Sequence, residues 1–298
     1  MSVNLIAKLA IKVRGSLNKP SDRDFVADIK MGEQIPKIIH QTYYSKNLPI
    51  QIQTNINQLK NVNPDWDFRL YDDEDIEEYI QSHFPQLFST YKKINPKYGA
   101  AKADFFRYLV MYKDGGVYLD IKSGSEKPLS EIIANNDQYI ISYWPRHYPK
   151  IMQGQHKGIS NPTGEYQQWH IISVAGHPFL KSVINNVCSN IANYNPFFHD
   201  FSSWGVFNLT GPIAYTEAIY PLLAQYPHRM EKDHIELGLI YCAIDPKNPY
   251  GGHHGIFQKK HYSSIEEPVV LQTKLKSALF YLCRPFIKYL KSKLKATL

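Results

Sequence analysis

An α/β fold on a largely parallel sheet is predicted by three features of the chain. Short apolar or alternating segments at 35–42, 66–71 and 117–119 have strand character. Longer segments carry apolar residues every three or four positions, as amphipathic helices do. The two kinds alternate through the first half, and strands joined by helical crossovers are the ones that pair in parallel. Ligands of such sheets gather at the carboxyl ends of the strands.

The elements follow in order. In residues 35–42 Lys37 interrupts an apolar, β-branched run that passes into His40-Gln41-Thr42, which reads as a short buried strand running into a loop. A helix is expected over 50–59. Residues 66–71 alternate at period two, and Asp72 or Asp73 can cap a helix starting near Glu74, where first-turn acids suit the dipole. Over 99–113 the apolar spacing is helical again, and Gly115-Gly116 stops it. Strand 117–119 then ends at Asp120. In the second half, 139–143 and 168–175 read as strands, 179–194 and 216–224 as helices, and 235–243 as a last strand. Gly251-Gly252-His253-His254-Gly255 marks a loop, for which metal binding by the His pair is the weaker reading.

Composition excludes several classes. With 298 residues, 43% apolar and 20% charged, the chain is neither disordered nor collagen-like. No stretch approaches the roughly 18 to 20 apolar residues of a spanning helix, and Lys8 and Lys12 split the opening segment where a signal peptide would be continuous. A cytoplasmic product is expected. Cys188, Cys242 and Cys283 are scattered and show no disulfide or zinc spacing. The net charge of +7 is unevenly placed: residues 1–19 and 272–298 carry 11 of the 34 basic residues and no acid, leaving 23 basic against 27 acidic residues between them. That central body is acidic, so no nucleic acid partner is expected.

Three regions follow: a basic helix and connector (1–32), a main domain (33–270) and a C-terminal helix (271–298). In the last, Leu275, Leu279, Leu282, Phe286, Leu290 and Leu294 recur at three or four, with basic residues between them and a bend expected at Pro285. Such a helix suits an anionic membrane surface, each Lys or Arg contributing about 1 kcal/mol, and places the protein peripherally on the cytosolic face. A solvated helix packed on the body, or a flexible tail, is the alternative.

The chemistry-bearing stretch is 100–122. Asp104 and Arg107 lie at i and i+3 on a helix, so they share a face and form either a ligand-holding charged pair or a surface salt bridge. Asp120 at a strand end is placed for a metal or a phosphate, or is a turn former. The whole string, with Gly115-Gly116 before Val117-Tyr118-Leu119-Asp120-Ile121-Lys122, resembles the sugar-binding region of glycosyltransferase family 32, whose pattern is Ala-x-Asp-x-x-Arg followed by Gly-Gly-x-Tyr-x-Asp-x-Asp. Residues 35–42, 66–73, 169–180, 210–212 and 259–264 resemble the family more weakly.

That resemblance implies a GT-A fold, a UDP- or GDP-linked sugar donor and retention of anomeric configuration. It implies Asp104, Arg107 and Asp120 as catalytic residues. It implies nucleotide-sugar contacts from His40, Gln41, Thr42, Asp104, Arg107, Gly116, Tyr118, Lys122 and His261, and a Mn2+ or Mg2+ ion on Asp120 and His261. One departure stands out: Lys122 replaces the second Asp-x-Asp carboxylate. Asp120 then holds the metal with other help, or Lys122 itself neutralises the diphosphate. The expected function is transfer of a hexose or N-acetylhexosamine to a saccharide acceptor, lipid-linked if the basic helix meets a membrane, in capsule or O-antigen assembly. A toxin-like transferase acting on protein and a non-catalytic nucleotide-sugar-binding protein are the rivals.

Overall fold

The computed structural model describes residues 17–18, 23–145, 154, 156, 159–245, 247 and 261–295, with backbone alone for 286–295. The expected N-terminal helix and the His253-His254 loop lie outside the described residues.

β1 (Ile38–Thr42) has its last four residues buried. α1 (Ile50–Val62) buries Ile52, Asn55, Ile56 and Leu59 along one stripe and brings the chain back to β2 (Asp67–Tyr71), parallel to β1 with His40 opposite Arg69. Asp72 starts α2 (Asp73–His83). Its carboxylate accepts from the Glu74 and Asp75 amides at 3.1 and 2.9 Å, while Asp75 accepts from the Asp72 amide at 3.0 Å, a reciprocal box that fixes the helix start. α3 (Pro85–Lys93), not foreseen, opens with proline in its first turn.

α4 (Gly99–Asp114) is buried at every residue from Asp104 to Tyr112, so Asp104 and Arg107 are carried inside the protein. Gly115 and Gly116 end it at φ +68° and +100°. A Cβ on Gly115 would lie 2.6 Å from the Ala175 nitrogen, and one on Gly116 2.5 Å from the Ile38 oxygen. Glycine is therefore required for α4 to turn directly into β3 (Gly116–Leu119).

The chain continues through β4 (Gly124–Ser125), α5 (Leu129–Ile132), β5 (Tyr139–Ser142) and β6 (His170–Ser173). α6 (Pro178–Asn193), α7 (Ser202–Leu209) and α8 (Pro212–Ile219) follow, then β7 (Arg229–Glu231), β8 (Leu239–Ile240) and α9 (Lys274–Lys295). Six strands form one sheet in the order β2-β1-β3-β6-β5-β7. β1 is parallel to β2 and β3, and β5 to β7; β6 alone runs against both neighbours, so the sheet is mostly parallel, as expected.

Period-two alternation buries both faces. Tyr118, Ile141 and Ile171 face the larger core with Tyr108, Leu109, Phe179 and Val183, whereas Val117, Leu119, Ile140 and Ile172 face a smaller core with Leu59, Leu129 and Trp169. Two expectations are corrected. The helix expected at 216–224 begins at Pro212 and gives way to a 3-10 turn at Tyr220–Gln225. The strand expected at 235–243 pairs only at Leu239–Ile240, antiparallel to β4, because Gly238 at φ +71° breaks the extended run. α9 continues through Pro285 as one helix.

Candidate active site

The carboxyl ends of β1 and β3 deliver Thr42 and Asp120 to a cleft of about 1010 Å³, large enough for a nucleotide-sized ligand. α4 supplies its inner wall, so Asp104 and Arg107, side by side on one helical face, reach the same space as Tyr118, Asp120 and Lys122.

The four charged groups form one network. Arg107 Nη2 lies 3.2 Å from Asp104 Oδ1 and 3.0 Å from Asp120 Oδ1, and Lys122 Nζ lies 2.6 Å from Asp120 Oδ2. Side-chain exposure is 5% for Asp104 and Arg107, 8% for Lys122 and 21% for Asp120, so this is an interior cluster with its most open member at Asp120. The Arg107 guanidinium lies over the Tyr118 ring at 4.6 Å and the Lys122 ammonium over the Tyr241 ring at 4.4 Å.

Neutral groups complete it. Gln168 donates to Asp104 Oδ1 at 3.2 Å, and its Oε1 accepts from Arg107 and from the Tyr108 hydroxyl at 3.1 and 2.9 Å. Thr210 donates to Asp104 Oδ2 at 3.0 Å, and the single Tyr108 hydroxyl proton is shared between Gln168 Oε1 and the Thr210 carbonyl, the latter at 2.7 Å. The sequence reading did not assign Gln168, Thr210 or Tyr241 to the site. Thr210-Gly211-Pro212 was visible as a weak resemblance, whereas Tyr241 arrives only through the β4–β8 ribbon, where Ser123 Oγ donates to its carbonyl at 2.8 Å.

Burial pushes the Asp104 carboxyl up to about 6, against the opposing pull of Arg107, Thr210 and Gln168. Burial works against the charges of Arg107 and Lys122 too. In both, neighbouring groups outweigh it, Asp120 foremost for Lys122, and hold them protonated above their ordinary values. Burial lifts the Tyr118 phenol to about 12, so it stays neutral and its hydroxyl pairs with Thr42 Oγ1 at 3.0 Å.

The expected nucleotide-facing residues divide. Thr42, Tyr118 and Lys122 line the cleft, as does His261, whose Nδ1 pairs with Ser263 Oγ at 2.7 Å. His40, Gln41 and Gly116 do not reach it. His40 is fully buried, its ring nitrogens 3.1 Å from the Tyr71 hydroxyl and 3.0 Å from the Gly115 carbonyl, and burial lowers it to about 4, so it is a neutral tether between β1, β2 and the glycine turn. Gln41 acts from behind, donating to the Asp120 carbonyl at 3.1 Å. Gly116 packs against Ile38.

The donor set does not fit a divalent cation. Asp120 has a cation against each carboxylate oxygen, and among the described residues no three His, Cys, Asp or Glu side chains come together as ligands. The metal expected on Asp120 and His261 would have to displace Arg107 or Lys122 from the carboxylate and take its remaining ligands from phosphate oxygens and water.

Residues 49–139 match the family described as glycosyltransferase sugar-binding region containing DXD motif. The chain is 27% identical over 215 residues to inositol phosphoceramide mannosyltransferase 3 of Schizosaccharomyces pombe, covering 70% of this chain and 54% of that protein. It is 35% identical over 100 residues to mannosyl phosphorylinositol ceramide synthase SUR1 of Saccharomyces cerevisiae, covering 34% and 26%. It is 26% identical over 206 residues to the initiation-specific alpha-1,6-mannosyltransferase of Candida albicans, covering 62% and 52%. The chain thus spans about half or less of the length of these relatives. The match begins just before α1 and ends on the first residue of β5, taking in α4, the double glycine and Asp120. Residues 49–139 of this chain thus resemble that sugar-binding region, and Lys122 stands where the Asp-x-Asp pattern would carry its second aspartate.

Proposed function

We propose that the protein is a glycosyltransferase that moves a hexose or N-acetylhexosamine from a UDP- or GDP-linked donor to a lipid-borne saccharide, with retention of configuration. The observation that carries this reading is the interior Asp104–Arg107–Asp120–Lys122 network, which lies within the matched region and opens into a nucleotide-sized cleft. Buried ionic networks are poor stabilisers, so one that lines a cleft is most economically explained by a charged or hydroxyl-rich ligand.

Asp104 and Arg107 would hold donor sugar hydroxyls. With Arg107, Thr210 and Gln168 all bound to it, the Asp104 carboxylate is better placed as a hydroxyl anchor than as a nucleophile. Transfer then proceeds on one face of the sugar: the bond from anomeric carbon to phosphate oxygen breaks, the acceptor oxygen bonds to that carbon, and the acceptor proton passes to the departing diphosphate.

The lipid-borne acceptor is supported by α9 and by the relatives' names, two of which specify inositol phosphoceramide or its mannosylated form. Phe280 is fully buried beside Phe197 and Phe201 and pins the helix, while Leu275, Leu279 and Leu282 are exposed on a different side. Lys274 and Lys276 flank that stripe, and among the described residues no helix is long and apolar enough to cross a membrane. We assign α9 to the surface of an anionic bilayer, peripheral on the cytosolic face, where capsule- or O-antigen-type intermediates would be extended.

A donor screen tests the reading. Purified protein is incubated with UDP- and GDP-linked hexoses and N-acetylhexosamines, GDP-mannose first, and nucleoside diphosphate release and thermal protection are followed. One donor class is expected to give both. Failure of every donor to do either refutes the function. Replacing Leu275, Leu279 and Leu282 by serine should release the protein from anionic phospholipid vesicles without changing donor hydrolysis; equal vesicle binding would remove the lipid part.

A further inference from the structure

We infer that Lys122 receives the donor diphosphate in place of a divalent cation, so that nucleotide binding and transfer in this protein need no metal. The inference rests on the function proposed above and adds the identity of the cation in that site. It starts from an incompatibility. The departing diphosphate needs positive charge beside it, yet the position that would complete a pair of metal-binding acids carries an ammonium group.

That ammonium is built in. The Lys122 carbonyl accepts from the Ala243 amide at 2.7 Å, which fixes the backbone to the segment that also brings Tyr241. Its Nζ lies 2.6 Å from Asp120 Oδ2 and 4.4 Å from the centre of the Tyr241 ring, in a side chain that is nearly buried yet lines the cleft. Asp120 is fixed in turn, its amide donating to the Trp169 carbonyl at 2.8 Å and its carbonyl accepting from Gln41.

A divalent ion approaching Asp120 would meet Lys122 on one carboxylate oxygen and Arg107 on the other, two positive charges in an interior that screens them weakly. A diphosphate meets the reverse. An ammonium has three donors, so Lys122 can keep Asp120 and still bind a phosphate oxygen. Asp120 is then the positioning residue that holds the ammonium before the donor arrives, and Lys122 is the group that touches the leaving diphosphate.

Calorimetric titration with UDP and with GDP, each in EDTA and in Mn2+, tests this on the full chain, its Lys122→Met variant and its Lys122→Asp variant. The wild-type protein should bind one of the two nucleotides with the same Kd in both buffers, to within about twofold. Loss of a charge-assisted bond predicts binding weaker by roughly 10- to 100-fold in Lys122→Met. Lys122→Asp, which restores the pair of acids, should bind in Mn2+ and not in EDTA. Wild-type affinity that collapses in EDTA overturns the inference even if both variants fail to fold. So does a folded Lys122→Met protein that binds like wild type. Metal-dependent binding leaves the proposed transferase standing, whereas no binding of either nucleotide in either buffer defeats the transferase reading itself.

Discussion

Replacing Asp120 by asparagine separates two meanings of the carboxylate. Asp120 is the common anion of Arg107 and Lys122, at 3.0 and 2.6 Å, and both cations are almost completely buried. Removing one partner of a buried ion pair costs about 3–5 kcal/mol, and the lower end applies because Asp120 is 21% exposed and asparagine keeps one acceptor oxygen. At about 2 °C per kcal/mol for a chain of this size, Asp120→Asn should lower the unfolding midpoint by about 6 °C. The site simultaneously gains one unit of positive charge. At an effective dielectric constant of about 20 and a separation of about 5 Å, that change favours a bound anion by about 3 kcal/mol before reorganisation. Nucleoside diphosphate affinity should therefore hold or rise, while transfer falls on the order of 100-fold because Lys122 and Arg107 lose their common tether. Thermal unfolding with and without UDP or GDP, beside donor turnover, reads all three. A folded variant that no longer binds the nucleotide bound by wild type would refute the reasoning, since it would make the carboxylate itself the clamp.

Other perturbations bear on neighbouring parts. Thr210→Val removes the hydroxyl that donates to Asp104 at 3.0 Å and should cost about 1–3 kcal/mol in chemical denaturation and raise the donor KM; an unchanged denaturation midpoint would detach Thr210 from the network. Because burial raises Asp104 to about 6, the carboxylate is ionised above that pH and protonated below it, so kcat/KM should fall about tenfold per pH unit below 6, and a flat profile from 5 to 7 would take the ionised carboxylate out of donor binding. Gly116→Ala places a Cβ 2.5 Å from the Ile38 oxygen at φ +100° and should destabilise by at least about 2 kcal/mol, whereas Gly99→Ala, where a Cβ meets nothing within 4 Å, should not; equal midpoints for the two would contradict the required turn.

The first half of the fold was legible because its strands and helices carry the burial that defines them. The 99–114 helix repeats apolar residues at the right spacing and ends in two glycines, and Asp72 caps α2 where a capping acid was sought. The missing elements lack that signal. β7 is three residues, Arg229–Glu231, none of them buried, and it is anchored by the Arg229–Asp137 ion pair at 2.8 Å rather than by an apolar face. α3 buries only Leu87 and Tyr91, too few to mark a period. In 235–243 the apolar residues suggested a strand, but Gly238 at φ +71° divides it, a conformation that composition alone does not disclose.

The site was legible where its residues neighbour one another in sequence and obscure where the sheet assembles it. Asp104 and Arg107 share a helical face by spacing, and Asp120 and Lys122 flank one residue, but the contact between the pairs exists only because the double glycine folds β3 back along α4. His40 shows the converse error. A histidine and a glutamine at the end of a buried strand look like ligand contacts, because polar residues in an apolar run need a partner. In this fold the partners are internal: the Gly115 carbonyl and the Tyr71 hydroxyl for His40, and the Asp120 carbonyl for Gln41. These bonds secure the very turn and strand end that bring Asp120 to Arg107. Polar residues in the first strand thus serve the site without facing it, and their substitution should act through the position of Asp120 rather than through lost contact with a ligand.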